Sequence, residues 1–132
     1  MQNFSIKATE NSPYVFIDKD SGLLEISGYS TLHNPVGFYK HLSNWIKAFN
    51  LKDVTTHTVN ISISQMNADS YAWMIYLIKQ LENYFDKTHS MTINWFYDQN
   101  NQESLRFGQY CSTSVHVPFT FIPADQRNKI YN

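Results

Sequence analysis

Charge is scarce in this chain. Asp, Glu, Lys and Arg make up 16% of its 132 residues, against about a quarter in an average soluble domain. The net charge is −1 with a pI near 6.5, and no Lys/Arg cluster longer than a pair occurs. That excludes the basic stripe by which nucleic-acid-binding proteins displace counterions, and equally the polybasic anchor of a membrane-surface protein. Glycine is sparse too, at positions 22, 28, 37 and 108, so no Gly-rich loop cradles a phosphate. The single cysteine, Cys111, makes no internal disulfide and suits a reducing compartment. No apolar run approaches the roughly 18 residues of a membrane-spanning helix. The opening Met1-Gln2-Asn3-Phe4-Ser5-Ile6-Lys7 has neither the basic nor the apolar region of a signal peptide. The expectation is a soluble cytoplasmic protein.

Catalytic sets are missing as well. The histidines (His33, His41, His57, His89, His116) are scattered, and no pair has the spacing of a zinc site. There is no G-x-S-x-G elbow, and Cys111 with His116 is too little for a nucleophile and its base. Asp18, Asp20 and Glu25 sit in or beside a turn, while Asp98 and Glu103 lie at a helix start, where the macrodipole favours negative charge. The pattern calls for no enzyme activity, no metal and no cofactor.

Aromatic residues, by contrast, reach 16%, with 9 Phe, 9 Tyr and 3 Trp. Leu, Ile, Val and Phe together number 34, enough for a core without disulfide or metal support. No repeat or linker divides the chain, so residues 1–132 read as one domain. Phe4 to Lys7, Tyr14 to Asp18 and Leu23 to Ser27 read as strands, with the turn cluster Asp18-Lys19-Asp20-Ser21-Gly22 joining the last two as a hairpin. Asn34-Pro35 opens a first helix ending near Asn50, its apolar stripe being Phe38, Leu42, Trp45, Ile46 and Phe49. Val59, Ile61 and Ile63 alternate with polar residues in the strongest strand. A second helix starts near Asn67 or Asp69 and runs to about Lys87, its inner stripe being Tyr71, Met74, Leu77, Ile78, Leu81 and Phe85. Trp73, Ile75 and Tyr84 widen that stripe and Tyr76 points away from it, so the helix is either covered on more than one side or partly a docking face. Met91 to Tyr97 is a strand, Gln102 to Ser112 a third helix, and Val115 to Ile122 a last strand in which Pro118 marks an edge or a start. Beyond Pro123 the tail reads as polar and frayed. Alternation of strands and helices after residue 28 predicts an α/β layered domain with a partly parallel sheet.

One junction stands out. Met66-Asn67-Ala68-Asp69-Ser70-Tyr71 lies between the strongest strand and the aromatic-rich helix. Unpaired N–H groups and the dipole at such a helix start favour a phosphate, which suits a phosphorylation switch. On spacing alone, Asn67 or Asp69 as a helix cap explains the same residues.

Leu24-Glu25-Ile26-Ser27-Gly28-Tyr29-Ser30, with Asn34 and Phe38, resembles the opening of the SiaC family of bacterial regulatory phosphoproteins. The resemblance continues through Met66-Asn67-Ala68-Asp69-Ser70 and the helix after it. Ile93-Asn94-Trp95-Phe96-Tyr97-Asp98 and Val117-Pro118-Phe119 are similar to the family's late strand and closing segment. It spans about residues 22 to 122. The resemblance implies a STAS-like fold of about five to six strands and three helices, as in anti-sigma-factor antagonists. It also implies a non-enzymatic protein switched by a serine/threonine kinase and a PP2C-type phosphatase. Unphosphorylated, a member of this family binds and activates a diguanylate cyclase, raising cyclic-di-GMP and favouring biofilm.

The chain departs from the family at two places. Where the family reads Asn-Thr-Ser-Ser, with Thr as phosphoacceptor, this chain has Asn67-Ala68-Asp69-Ser70. Ala68 has no hydroxyl to modify, Asp69 adds a fixed negative charge weaker than a phosphate, and Ser70 is either a displaced acceptor or a cap. Upstream, the family's Pro-Glu-Asn appears as Leu32-His33-Asn34.

The leading expectation is a partner-switching protein whose docking surface is the switch loop (Asn67, Ala68, Asp69, Ser70) and the head of the next helix (Tyr71, Trp73), aromatic anchors being favoured at interfaces. Alternatively, Trp73 and Tyr76 cover the sheet edge within the monomer. A different class of reading is a small-ligand-binding or minor enzymatic α/β domain using His33 near Ser70. A polar-lined closed pocket would favour that class, and a flat or convex patch around Ala68 would favour docking.

Overall fold

Six strands pair in the order in which the chain makes them, β1 to β6. The computed structural model describes residues 3–49, 55–84 and 90–126. Strands β1 (Asn3–Ile6), β2 (Tyr14–Asp18) and β3 (Leu23–Ser30) form an antiparallel meander. From β3 onward each neighbour is parallel: β4 (Thr56–Met66), β5 (Ser90–Tyr97) and the edge strand β6 (Phe119–Pro123). A parallel pair needs a long crossover, and the three crossovers carry α1 (Pro35–Phe49), α2 (Ala68–Tyr84) and α3 (Gln102–Thr113). A 3-10 turn, Ala124–Gln126, follows β6. No helix among the described residues is long and apolar enough to cross a membrane.

Period-two alternation decides which sheet face is covered. Ile17, Leu24, Val59 and Ile93 lie in register across four strands, as do Val15, Ile26, Ile61 and Trp95. All are buried in one core with Leu42 and Ile46 of α1, Met74, Leu77, Ile78 and Leu81 of α2, and Cys111 of α3. The three helices therefore share one face of the sheet. The opposite face carries polar residues such as Ser62, Asn60 and Asn94, the last two bonded amide to amide at 2.9 Å.

The β2–β3 hairpin forms as its turn residues predict. The Asp18 carboxylate accepts from the Asp20 N–H and the Ser21 hydroxyl, and Gly22 takes a positive φ of 69°. Strand β3 outruns its predicted end at Ser27. Gly28, at φ 111°, absorbs a register slip opposite β4 that passes over Ser64, and the strand continues to Ser30. The predicted last strand, Val115 to Ile122, shrinks to Phe119–Pro123. Pro118 has no N–H to donate to a ladder, so pairing begins after it, while Val115 and Val117 pack onto the core from a loop.

The α1 stripe is corrected at two positions. Tyr39, outside the predicted stripe, is buried with its hydroxyl 2.7 Å from Ser30 Oγ. Trp45 is 38% exposed and lies against Phe4 and His41 instead. The side chains of Phe49, Tyr84 and Phe85, the helix ends proposed at Asn50 and Lys87, and His89 lie outside the described residues.

Candidate functional site

Because β3, β4 and β5 are parallel, α1, α2 and α3 all begin at the same edge of the sheet. Asn67 organises that edge. Its side-chain oxygen accepts from the Ser70 N–H at 2.9 Å, its amide donates to the Leu32 carbonyl at 2.7 Å, and its own N–H donates to the Ser30 carbonyl at 3.1 Å. One residue thus caps α2 and ties it to the β3–α1 loop, which is the cap reading of the switch loop with Asn67 in the role. Asp69 is in the first turn, where its charge complements the dipole.

The four switch-loop residues do not point the same way. Ala68 and Asp69 are exposed, Asn67 is half-buried, and Ser70 is 0% exposed. Ser70 Oγ is enclosed with no hydrogen-bond partner, and in this conformation a kinase cannot reach it. His33 is exposed and makes no bond to that hydroxyl, so the His33–Ser70 pairing does not form.

The two aromatic anchors also part company. Tyr71 turns toward α3, its ring 4.9 Å from that of Phe107 and its hydroxyl hydrogen-bonded to the Cys111 sulfur. Burial pushes the Cys111 thiol up to about 12, the Tyr71 bond opposing only part of that. The thiol is therefore protonated at neutral pH and unsuited to nucleophilic attack. Tyr71 itself is raised to about 12, by burial first and then by Cys111 and Tyr110. Trp73 turns the other way and meets Tyr76 edge to face, with centroids 5.3 Å apart. With Ala72 they line a shallow hollow of about 250 Å³, and Tyr76 is 49% exposed. The sequence marks Tyr76 as the aromatic that departs from the stripe and, with Trp73, as possible cover for the sheet edge.

Beside the switch loop, the ends of β4 and β5 and the start of α3 enclose a cleft of about 420 Å³, with Met66, Trp95 and Phe107 as apolar walls. Its volume suits a small ligand, but two of its amides, Asn67 and Asn101, are already committed. Asn101 caps α3 through the Glu103 N–H and reaches the Ser64 carbonyl, and the Trp95 indole N–H is held by the Ser104 carbonyl at 3.0 Å. Asn67 is spent on the bonds above. Among the described residues no group of three or more His, Cys, Asp or Glu is placed to hold a metal ion.

The fold has close counterparts. Apo-SiaC from Pseudomonas aeruginosa superposes with a TM-score of 0.79 at 20% identity, over 92% of this chain and 99% of that one. A structure of the diguanylate cyclase SiaD in complex with its activator SiaC, from the same organism, matches with a TM-score of 0.79 over 91% of this chain and 98% of its own. An uncharacterised protein of Pseudomonas aeruginosa (strain UCBPP-PA14) is 19% identical over 126 residues, which are 96% of this chain and all of that protein. The model of the SiaC family regulatory phosphoproteins matches residues 6–124. That reaches upstream of the motif-bearing span 22–122 and takes in β2 and the hairpin. With the sheet order, the capped junction after β4 and this match in agreement, the chain belongs to the SiaC family.

Proposed function

We propose that this chain is a non-enzymatic, cytoplasmic regulatory protein that binds and activates a diguanylate cyclase, raising cyclic-di-GMP, and that it does so without kinase control at residue 68. The observation that carries this reading is Ala68 itself, exposed on the first turn of α2, at the position that the motif resemblance gives to the family's phosphoacceptor. SiaC of Pseudomonas aeruginosa is the activator of the cyclase SiaD, and family membership supports a partner of the same kind here. A phosphate at residue 68 would meet the α2 N-terminus and bring close to two negative charges to a docking edge. A methyl group keeps that edge permanently in the unmodified state. The serine/threonine kinase and PP2C-type phosphatase of the family then have no substrate at residue 68, and Ser70 is no ready substitute because its hydroxyl is buried.

The docking surface on this reading is the exposed head of α2, namely Ala68, Asp69, Ala72, Trp73 and Tyr76, with Tyr71 bracing it from α3. The small-ligand alternative has the 420 Å³ cleft in its favour, but Asn67, Asn101 and the Trp95 indole there are spent on bonds within the protein.

The test is reconstitution with GGDEF-domain cyclases of the source cell, measuring cyclic-di-GMP formed with and without the purified chain. A cyclase stimulated by the wild type and not by Trp73→Ala/Tyr76→Ala bears the reading out. With the cell's own switch kinase, mass spectrometry is expected to find no phosphate on the wild-type helix start and phosphate on residue 68 of Ala68→Thr. Stimulation of no cyclase would overturn the function, and phosphate on Ser70 would overturn the loss of control.

A further inference from the structure

A chain of hydrogen bonds runs along the edge from which the helices start and joins segments far apart in sequence. Strands β1 and β3 both run antiparallel to β2, so the β1–β2 loop (residues 7–13) and the β3–α1 loop (residues 31–34) meet at the edge where α2 begins. Thr31 joins the two loops: its N–H donates to the Asn11 carbonyl at 2.9 Å and its hydroxyl to Asn11 Oδ1 at 3.1 Å. The β1–β2 loop is itself wound on Thr9, whose hydroxyl oxygen accepts from the Asn11 and Ser12 N–H groups. Ser30, at the root of the β3–α1 loop, is buried with its hydroxyl against that of Tyr39 of α1, and its carbonyl takes the Asn67 N–H. The Asn67 amide then closes the chain on the Leu32 carbonyl. Both loops face solvent, with Glu10, Asn11, His33 and Asn34 exposed. Asp and Ser cap a helix about as well as Asn, through the kind of oxygen that here takes the Ser70 N–H. The amide N–H that reaches Leu32 is what Asn67 adds, since Asp has no donor and the Ser hydroxyl sits one atom short.

We propose that Asn67 is a positioning residue for partner docking: its amide holds the β3–α1 loop, and through Thr31 the β1–β2 loop, against the head of α2, so that the partner meets the three segments as one preformed surface. The proposal rests on the docking function above and adds to the α2 head two loops and the residue that holds them in place. Ordering a loop on binding costs affinity that a preformed surface keeps. Loss of the tie therefore weakens docking although Trp73 and Tyr76 are untouched.

The test is Asn67→Ser in the full-length chain, which keeps an uncharged cap and drops the tie. Thr31→Val, which removes only the hydroxyl bond to Asn11, is the second variant. In Asn67→Ser, hydrogen exchange followed by NMR is expected to speed up about tenfold at Thr31. Ser70 and Tyr71, whose N–H groups hold the first turn of α2, should keep their wild-type rates. In the cyclase assay the concentration for half-maximal stimulation should rise about tenfold at an unchanged plateau, and by a smaller factor in Thr31→Val. A residue needed only for folding would lower the thermal midpoint and the plateau instead. Wild-type exchange at Thr31 in Asn67→Ser, or unmoved half-maximal concentrations in both variants, would overturn the proposal. So would exchange that speeds up equally at Thr31, Ser70 and Tyr71, because loss of the cap would then explain it. The two readings fail separately. A cyclase stimulated by wild type and Asn67→Ser at the same concentration sinks the tie and leaves the docking function standing. A loop that loosens in Asn67→Ser while the wild type stimulates no cyclase does the reverse.

Discussion

Ser70 shows how far two neighbouring residues can differ in meaning. In the sequence it is the hydroxyl nearest to Ala68. In the fold it closes the first turn of α2 from inside, fully buried with an unpartnered Oγ. A buried hydroxyl without a partner costs free energy that a methyl group in its place does not. Ser70→Ala is therefore expected to leave the unfolding free energy unchanged or raise it by up to about 1 kcal/mol, as read from urea denaturation, with no effect on any phosphorylation by the cell's kinases. A loss of more than about 1 kcal/mol would mean that the hydroxyl has a partner after all. The buried side of that turn was not legible, because burial at a helix start depends on which neighbouring loop closes over it. Asn67 was half legible. Its residue type marks a cap, but its bond to the Leu32 carbonyl joins residues 35 positions apart and belongs to the fold alone.

The elements were read more securely than their ends. Alternation in β4 and the stripe of α2 located both, because periods of two and 3.6 residues are local properties of the chain. The breadth of the α2 stripe left open whether it was doubly covered or partly docking, and the fold shows the second cover, that of α3. Tyr71 is covered by α3 through Phe107 and Cys111, while Trp73 and Tyr76 stay outside it. How closely α3 approaches the sheet turns on Gly108, where an added Cβ would lie 2.6 Å from Trp95. Trp95 is itself 1% exposed and cannot swing away. Gly108→Ala is expected to destabilise the protein by about 1–3 kcal/mol through overpacking, despite the better helix propensity of alanine. An unchanged thermal midpoint would show that α3 can lift from β5 at no cost. Sequence reading gave Gly108 no role beyond the absence of a phosphate loop, since its function is set by a tryptophan on another element.

At the scale of the whole molecule, titration couples the core to pH in one direction. Tyr39 is raised to about 12 by burial, its bond to Ser30 opposing only part of that. Tyr71 and Cys111 also reach about 12, from ordinary values of 10.0 and 9.0. Each folded value lies above the unfolded one, so the native state keeps protons that the unfolded chain has already released. Stability from these groups is complete below pH 9 and falls as the pH rises toward 12. Urea midpoints should hold level up to about pH 9 and decline beyond it, less steeply in Tyr39→Phe. A level profile throughout would contradict the burial of these groups. The sequence by itself determined the element order, the mixed α/β architecture and the alanine at residue 68. All of these follow from residue identity and local period. Only the tertiary structure decided that three helices cover one sheet face, that Ser70 is shut in while Ala68 is exposed, and that Tyr71 meets α3 while Tyr76 stays outside it. Those are relations between residues distant in sequence, fixed by parallel pairing and by packing of the core, and no local pattern encodes them.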